Sequence, residues 1–376
     1  MLINISSGVA GGMMNFIIPV YALSLNATST EIGLIKGFSG IGDLLVVLPA
    51  GFLVDYFGSK KMYSVGCIFS AAIIMSISFA TNPTFLLLVM LFYGISRTIR
   101  TTSNNADFFE NMNTIGAKKV GLFKGSMTIG SSFIGPLIGG IAAIAMGFKS
   151  YFVITGAFLL VPLMIVFSLA NRSSNQPMKK NNHSFIDASN HYKSLTKNRI
   201  LVSATMNESL NTGFFMTFST FITVLVIRDM GLSPGIAAAL LSLKGVSMLL
   251  VVFFEGAHLR KNNSGLYLFA YATTILSLLL LGIGKDITQL GIASVILGIG
   301  SGLISLITFT EVGSIEGEKG KIAGFFSFGH GASAILGPTL GGMIGDAFGV
   351  QAIFLAFIVP FSVLAFYTFM YGRKQN

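Results

Sequence analysis

The chain is short of charge. Of its 376 residues only 10% are Asp, Glu, Lys or Arg, against about 25% in an ordinary soluble domain. That shortage excludes a large solvated body. Cysteine is scarcer still: Cys67 stands alone, so no intramolecular disulfide can form and the redox compartment is unread. The 4 histidines and the single cysteine show no metal-ligand spacing. No Walker-type Gly loop and no nucleophile motif occur either. An enzyme and ATP drive are therefore disfavoured, and no cofactor is expected. A formal charge of +10 would suit nucleic acid if it formed one patch. The basic residues instead come as pairs between apolar runs, so no nucleic-acid partner is expected.

What is present is apolar length. Hydrophobic residues make up 53% of the chain and the mean hydropathy is +0.78. A bilayer-spanning helix needs roughly 20 apolar residues. Spans are expected at 3–24, 31–54, 62–80, 84–106, 120–146, 149–170, 199–228, 233–254, 264–284, 288–311, 321–346 and 350–371. Turn chemistry separates them at Asn26 to Thr30, Asn82-Pro83, Gly147, Gly231 to Pro234, Gly284 to Asp286 and Gly349. Barrel strands would alternate polar and apolar at every residue, which these runs do not. The first run lacks a basic leader and is broken by Gly11-Gly12, so it reads as a membrane helix rather than a cleaved signal peptide. Asn26-Ala27-Thr28 fits a glycosylation sequon, a pattern common by chance. The expectation is an all-α membrane protein of twelve transmembrane helices.

Lys and Arg set the topology. Lys60, Lys61, Lys118, Lys119, Arg172, Lys179, Lys180, Lys193, Lys197, Arg199, Arg260, Lys261, Lys319, Lys321, Arg373 and Lys374 fall on one side; Lys149, Arg228 and Lys285 fall on the other. The positive-inside rule puts the richer side, with both termini, in the cytoplasm. Residues 171–198 are the one long polar connection, rich in Asn, Ser and Lys. They divide the chain into 1–170 and 199–376, and a short amphipathic piece from Phe185 to Leu195 could lie on the anionic leaflet.

The two parts repeat each other. Ser131-Ser-Phe-Ile-Gly135-Pro136-Leu-Ile-Gly139-Gly140 returns as Ser333-Ala-Ile-Leu-Gly337-Pro338-Thr-Leu-Gly341-Gly342. Glu110 and Lys119 return as Glu311 and Lys321, and Asp55, Lys60 and Lys61 as Glu255, Arg260 and Lys261. The offsets are all close to 200 residues, which argues for a duplicated six-helix unit. Each proline frees a backbone carbonyl and bends its helix. The glycines give a flat face for close packing.

Residues 51–61 are the most specific stretch: Gly-Phe-Leu-Val-Asp-Tyr-Phe-Gly-Ser-Lys-Lys between two apolar runs. Asp55 at the edge of hydrocarbon needs a partner. Gly51 is expected to let another helix approach, Gly58 to allow a reversal with positive φ, and Lys60 with Lys61 to hold the turn in the cytoplasm. The string resembles the loop between helices 2 and 3 of the major facilitator superfamily, matching at Gly51, Leu53, Asp55, Gly58, Lys60 and Lys61. Tyr56 and Ser59 replace residues that are usually basic there.

The resemblance implies two six-helix bundles rocking about a site halfway through the lipid. It implies that Asp55 caps the amino end of helix 11 near Gly320 and Lys321, mirrored by Glu255 at helix 5 near Lys119. It also gives the Gly135-Pro136-x-x-Gly139-Gly140 run a second reading, as the antiporter motif of exporters, beside that of a packing kink.

The third, sixth, ninth and twelfth spans carry no internal charge, as lipid-facing helices would not. Ionisable groups inside a membrane normally face a cavity or a partner. At 1.5 Å per residue, Asp43 and Lys244 lie near mid-span, Arg97 and Glu208 in the cytoplasmic halves, and His330 about ten residues into the eleventh span. Asp43 and Glu208 are candidate proton carriers. They read equally as permanent ion pairs with Arg97 or Lys244. Asn15, Asn207, Ser301 and Ser305 are expected to line the cavity, and Lys36, Arg100 and Lys124 to snorkel toward water. Asp107 and Glu110 suit a salt network at the cytoplasmic end.

The expected function is alternating-access transport in the cytoplasmic membrane. Its favoured form is export of a small, partly apolar molecule driven by the proton gradient, with no cofactor and a monomeric carrier. The alternatives are import of a sugar, organic anion or other metabolite, and a membrane sensor that has lost transport.

Overall fold

The structure is a computed structural model that describes residues 1–110, 125–170, 196–255, 264–315 and 319–372. All regular structure among these residues is helical. The helices are α1 Leu2–Ser24, α2 Ser29–Phe57, α3 Ser59–Phe79, α4 Pro83–Glu110, α5 Gly125–Ala145, α6 Phe148–Val166, α7 Arg199–Asp229, α8 Pro234–Glu255, α9 Ser264–Ile283, α10 Ile287–Ser314, α11 Lys319–Phe348 and α12 Val350–Met370. Ten of them are long and apolar enough to cross a membrane. The remaining two, α2 and α11, have 29 and 30 residues.

Polar caps and glycines stop the helices at the expected breaks. Thr28 and Glu31 close a reciprocal capping box at the start of α2, with Glu31 N 3.2 Å from Thr28 Oγ1 and Thr28 N 2.8 Å from Glu31 Oε2. Asn82, Asn198 and Asp286 accept first-turn amides of α4, α7 and α10. Gly231 and Gly349 take φ of 66° and 87°. The linker 171–198 falls almost wholly outside the described residues, and so do Lys118, Lys119, Lys124, Arg260 and Lys261.

The stretch that carries the family resemblance is tighter than expected. Gly58 alone separates α2 from α3, at φ 88°. Lys60 and Lys61 belong to the first turn of α3 rather than to a loop. Gly51 departs from expectation: a Cβ there meets nothing within 4 Å among the described residues, so none of their helices packs on it in this conformation. The backbone of Asp55 and Glu255 is helical; their side chains, and hence the expected caps on α11 and α5, lie outside the described residues.

The two Gly-Pro runs make equivalent contacts. A Cβ on Gly12 of α1 would sit 2.9 Å from Gly135 Cα of α5, and a Cβ on Gly337 of α11 would sit 2.8 Å from the Gly213 carbonyl carbon of α7. Gly12 to Gly213 is an offset of 201 and Gly135 to Gly337 one of 202. A second pair of crossings repeats in the same register. Gly140 of α5 packs on Gly235 and Ala238 of α8, and Gly342 of α11 packs on Gly33, Ser29 and Thr30 of α2. Small residues let these backbones touch where lipid supplies no hydrophobic drive.

The copies differ in one respect. In α5 the turn before Pro136 widens to a π segment, Ile129–Ile134, and Ser242 of α8 donates to the Phe133 carbonyl at 3.2 Å. In α11 the helix runs unbroken through Pro338.

These contacts make a paired test. Gly337→Val forces α11 off α7 and is expected to cost about 1–3 kcal/mol by overpacking, read as a lower melting temperature in detergent. Gly51→Ala meets open space, so its melting temperature stays level or rises.

Candidate functional site

The charged side chains gather in two clusters. In the first, Gly42 of α2 lies against Gly94 of α4, which brings the next residue, Asp43, within reach of α4. Arg97 Nη2 and Nε grip the two Asp43 oxygens, and Thr98 Oγ1 donates to Oδ1 at 2.6 Å. Tyr93 lies under the guanidinium, 5.8 Å from Cζ to the ring centroid. About a fifth of each partner is exposed, 22% for Arg97 and 21% for Asp43. The pair is thus charge-assisted, held from two sides and partly wetted.

Two turns back along α2 stands Lys36. It was expected to snorkel and does not: it is 5% exposed. Its ammonium donates to the Asn15 carbonyl at 3.1 Å and to Asn15 Oδ1 at 3.2 Å. Asn15 on α1 therefore serves Lys36. Arg100 is also buried, at 2%, with Nε and Nη1 left without a hydrogen-bond partner. It packs with Gly66 of α3 instead of reaching the surface.

The second cluster joins α7, α8, α10 and α11. Glu208 of α7 is 4% exposed. It accepts from Ser305 Oγ at 2.9 Å and Thr308 Oγ1 at 2.9 Å, both on α10. His330 Nε2 of α11 stands 3.5 Å from Glu208 Oε1, and His330 Nδ1 is 3.2 Å from Thr212 Oγ1. Asn211, one turn along α7, bridges the Ser301 carbonyl and Ser305 Oγ. Lys244 of α8 is 2% exposed. Its ammonium lies 4.1 Å from the Phe215 ring centroid and 3.7 Å from Met248 Sδ. Glu208 acts on it electrostatically without an ion-pair contact.

The clusters meet where Leu44, next to Asp43, packs on Gly331, next to His330. The structure brings Asp43 to Arg97 and Glu208 to His330. It does not bring Arg97 to Glu208 or Asp43 to Lys244. Asn207 departs from expectation too: its Oδ1 accepts from Tyr271 OH of α9 at 2.6 Å.

A third arrangement lies at the Ser29 end of α2. Asp346, near the end of α11, accepts Ser29 N on one oxygen and Thr30 N on the other, each at 2.8 Å. A carboxylate across a helix amino end satisfies orphan amides and meets the positive end of the dipole. Arg228 of α7 adds a bond to Ser29 Oγ at 3.1 Å. This clasp ties α2 to α7 and α11 at the end opposite Gly58.

Residues 1–315 match the family model of the Major Facilitator Superfamily. The chain belongs to that superfamily. It is 24% identical to an uncharacterised MFS-type transporter of Methanocaldococcus jannaschii, over 94% of this chain and 92% of that one. It is 22% identical to the multi-drug resistance efflux pump PmrA of Streptococcus pneumoniae, over 96% and 92%. The crystal structure of the nucleoside transporter NupG superposes with a TM-score of 0.77 at 15% identity, covering 98% of this chain and 97% of that one. The protein is therefore a multi-span membrane transporter of small molecules with the major facilitator fold, and not an enzyme.

Sequence reasoning missed the Asp346 clasp, Thr98, Asn211, Thr212 and Thr308. Asp346 did carry a signal, as the one acid in the final third of its span. The hydroxyls and Asn211 carried none, because polar uncharged residues are spread throughout these helices.

Proposed function

We propose that this superfamily member exports a small, partly apolar molecule in exchange for protons, with Glu208 as the proton carrier. The observation that carries the reading is the polar setting of Glu208, an acid 4% exposed within a membrane helix. Asp43, the more exposed of the two acids, is gripped on both oxygens by Arg97 and again by Thr98. Glu208 is deeper and rests on hydroxyls, which serve a charged or a neutral carboxyl equally well, with His330 at hand to pass or receive a proton. Likeness to PmrA, named as an efflux pump, supports the direction.

In this reading the moving parts are bundles 1–170 and 199–376, joined by the linker 171–198 and containing twelve spans once α2 and α11 are counted. The carrier works as a monomer in the cytoplasmic membrane, with both termini and the Gly58 end inside. The Asp346 clasp then closes the outer side. Asp55 and Glu255 would close the inner side in the opposite conformation, so Asp55→Asn should raise the inward-open population.

The test is a pH gradient imposed on proteoliposomes with a panel of fluorescent organic anions, cations and neutral dyes. Gradient-driven flux in the parent that is lost in Glu208→Gln supports the proposal. Equal flux in the two removes Glu208 from it.

A further inference from the structure

The two clusters do not balance. Asp43 is committed to Arg97, and Glu208 rests on Ser305, Thr308 and His330. That leaves Lys36 and Lys244, 5% and 2% exposed, with no ion pair to either of them among the described residues. The groups in contact with each ammonium are neutral: the Asn15 amide and carbonyl for Lys36, the Phe215 ring and Met248 sulfur for Lys244, which Glu208 reaches only through space. A buried cation without an opposite charge is costly in a membrane. A ring face returns only part of what burying the charge costs. Arg97 adds to the field on Lys36 instead of relieving it. One such cation therefore sits in each half of the chain, Lys36 on α2 and Lys244 on α8, and the halves touch where Leu44 packs on Gly331.

We infer that the central site takes an organic anion, its charge met by Lys244 and Lys36 and its apolar part by the face of Phe215. An acid group would supply the missing counter-charge, and the ring beneath Lys244 would pack the carbon skeleton. A cationic or purely neutral substrate would leave both ammoniums without an opposite charge in contact. The inference names the substrate class of the transport site proposed above and rests on that reading only for the site's position.

The test is ligand stabilisation of the purified full chain in detergent, with matched probes: benzoate against benzamide and benzylamine, and phenylacetate against phenylacetamide and phenethylamine. The acids are expected to raise the melting temperature and the amides and amines to leave it unchanged. In Lys244→Met the apparent affinity for the acids should fall about tenfold, and Lys244→Arg should restore most of it. Lys36→Met supplies an independent loss if Lys244→Met fails to fold.

Stabilisation by amides or amines equal to that by acids overturns the inference. So does the absence of stabilisation by either acid, or acid binding unchanged in both methionine variants. Acid binding without gradient-driven flux would remove the proton coupling and leave the substrate class standing. Gradient-driven flux of amines without acid binding would do the reverse.

Discussion

Glu208→Gln is expected to abolish flux driven by a pH gradient while sparing exchange of substrate across the membrane. The glutamine keeps the shape and can still accept from Ser305 and Thr308, which now hold the carboxylate at 2.9 Å each. It cannot take up or release a proton. A carrier whose acid is fixed in the neutral form still reorients with substrate bound, so counterflow of labelled substrate continues. Net uphill movement stops, because nothing couples the return step to the gradient. Asp43→Asn should behave differently. It strips Arg97 of its partner and leaves a guanidinium that is 22% exposed without its carboxylate. Breaking a fully buried pair costs about 3–5 kcal/mol, and water at the rim reduces that here. The expected result is a less stable protein with both exchange and driven flux lowered together. Paired measurements of counterflow and gradient-driven flux on the two variants separate these outcomes. Loss of exchange in Glu208→Gln to the same degree as driven flux would make Glu208 structural.

The second large effect is expected at Asp346. Its two oxygens each accept one amide at 2.8 Å across the α2–α11 interface. Asp346→Ala removes both bonds and the charge at the helix amino end. A helix-terminus charge contributes about 0.3–1 kcal/mol when exposed, and hydrogen bonds to a charged group somewhat more. Asp346 is itself exposed, so a net loss of about 1 kcal/mol is the working figure. That shifts a two-state equilibrium about fivefold toward the form with the Ser29 end open. The check is reactivity of a single cysteine placed at Thr30 in a Cys67→Ser background, which should rise by that factor in Asp346→Ala. Asp346→Glu keeps the charge with a longer reach and should fall between. Unchanged reactivity in Asp346→Ala would mean that the clasp does not hold the outer side.

How far the sequence reveals this molecule depends on the kind of feature. Helix existence was plain, because apolar runs of membrane length have one economical structure. Break points were plain too, since Asn82, Gly231, Asp286 and Gly349 do at those places what their backbones and caps require. The register of the Gly-Pro runs predicted which glycines make equivalent crossings. Charge placement named Asp43, Arg97, Glu208, Lys244 and His330 as interior groups; Glu208 and Lys244 are buried, while Asp43, Arg97 and His330 keep about a fifth to a third of their side chains exposed.

Pairing was harder to read. Which cation meets Asp43 depends on Gly42 lying against Gly94, a contact between helices that spacing within one helix does not encode. The direction of a long side chain was no easier: Lys36 and Arg100 lie near span ends, yet turn inward because α1 and α3 cover them. Gly51 matched a family pattern and still meets no neighbour within 4 Å among the described residues, since a contact of one conformation need not exist in the other. The Asp346 clasp depends on the approach of two helix ends more than 300 residues apart in the chain, and a single acid gives little warning of that.

In the proposed cycle the two bundles rock, so that the Ser29 end and the Gly58 end open in turn. The direct measurement is a pair of distances between spin labels by pulsed electron resonance, in a Cys67→Ser background. One pair, Ser24 with Lys285, spans the Ser29 end; the other, Tyr56 with Phe254, spans the Gly58 end, and all four positions are exposed. When acidification protonates Glu208, the first distance should lengthen and the second shorten, and Glu208→Gln should hold both at their acid values at every pH. Two distances that stay fixed, or that lengthen and shorten together, would contradict rocking.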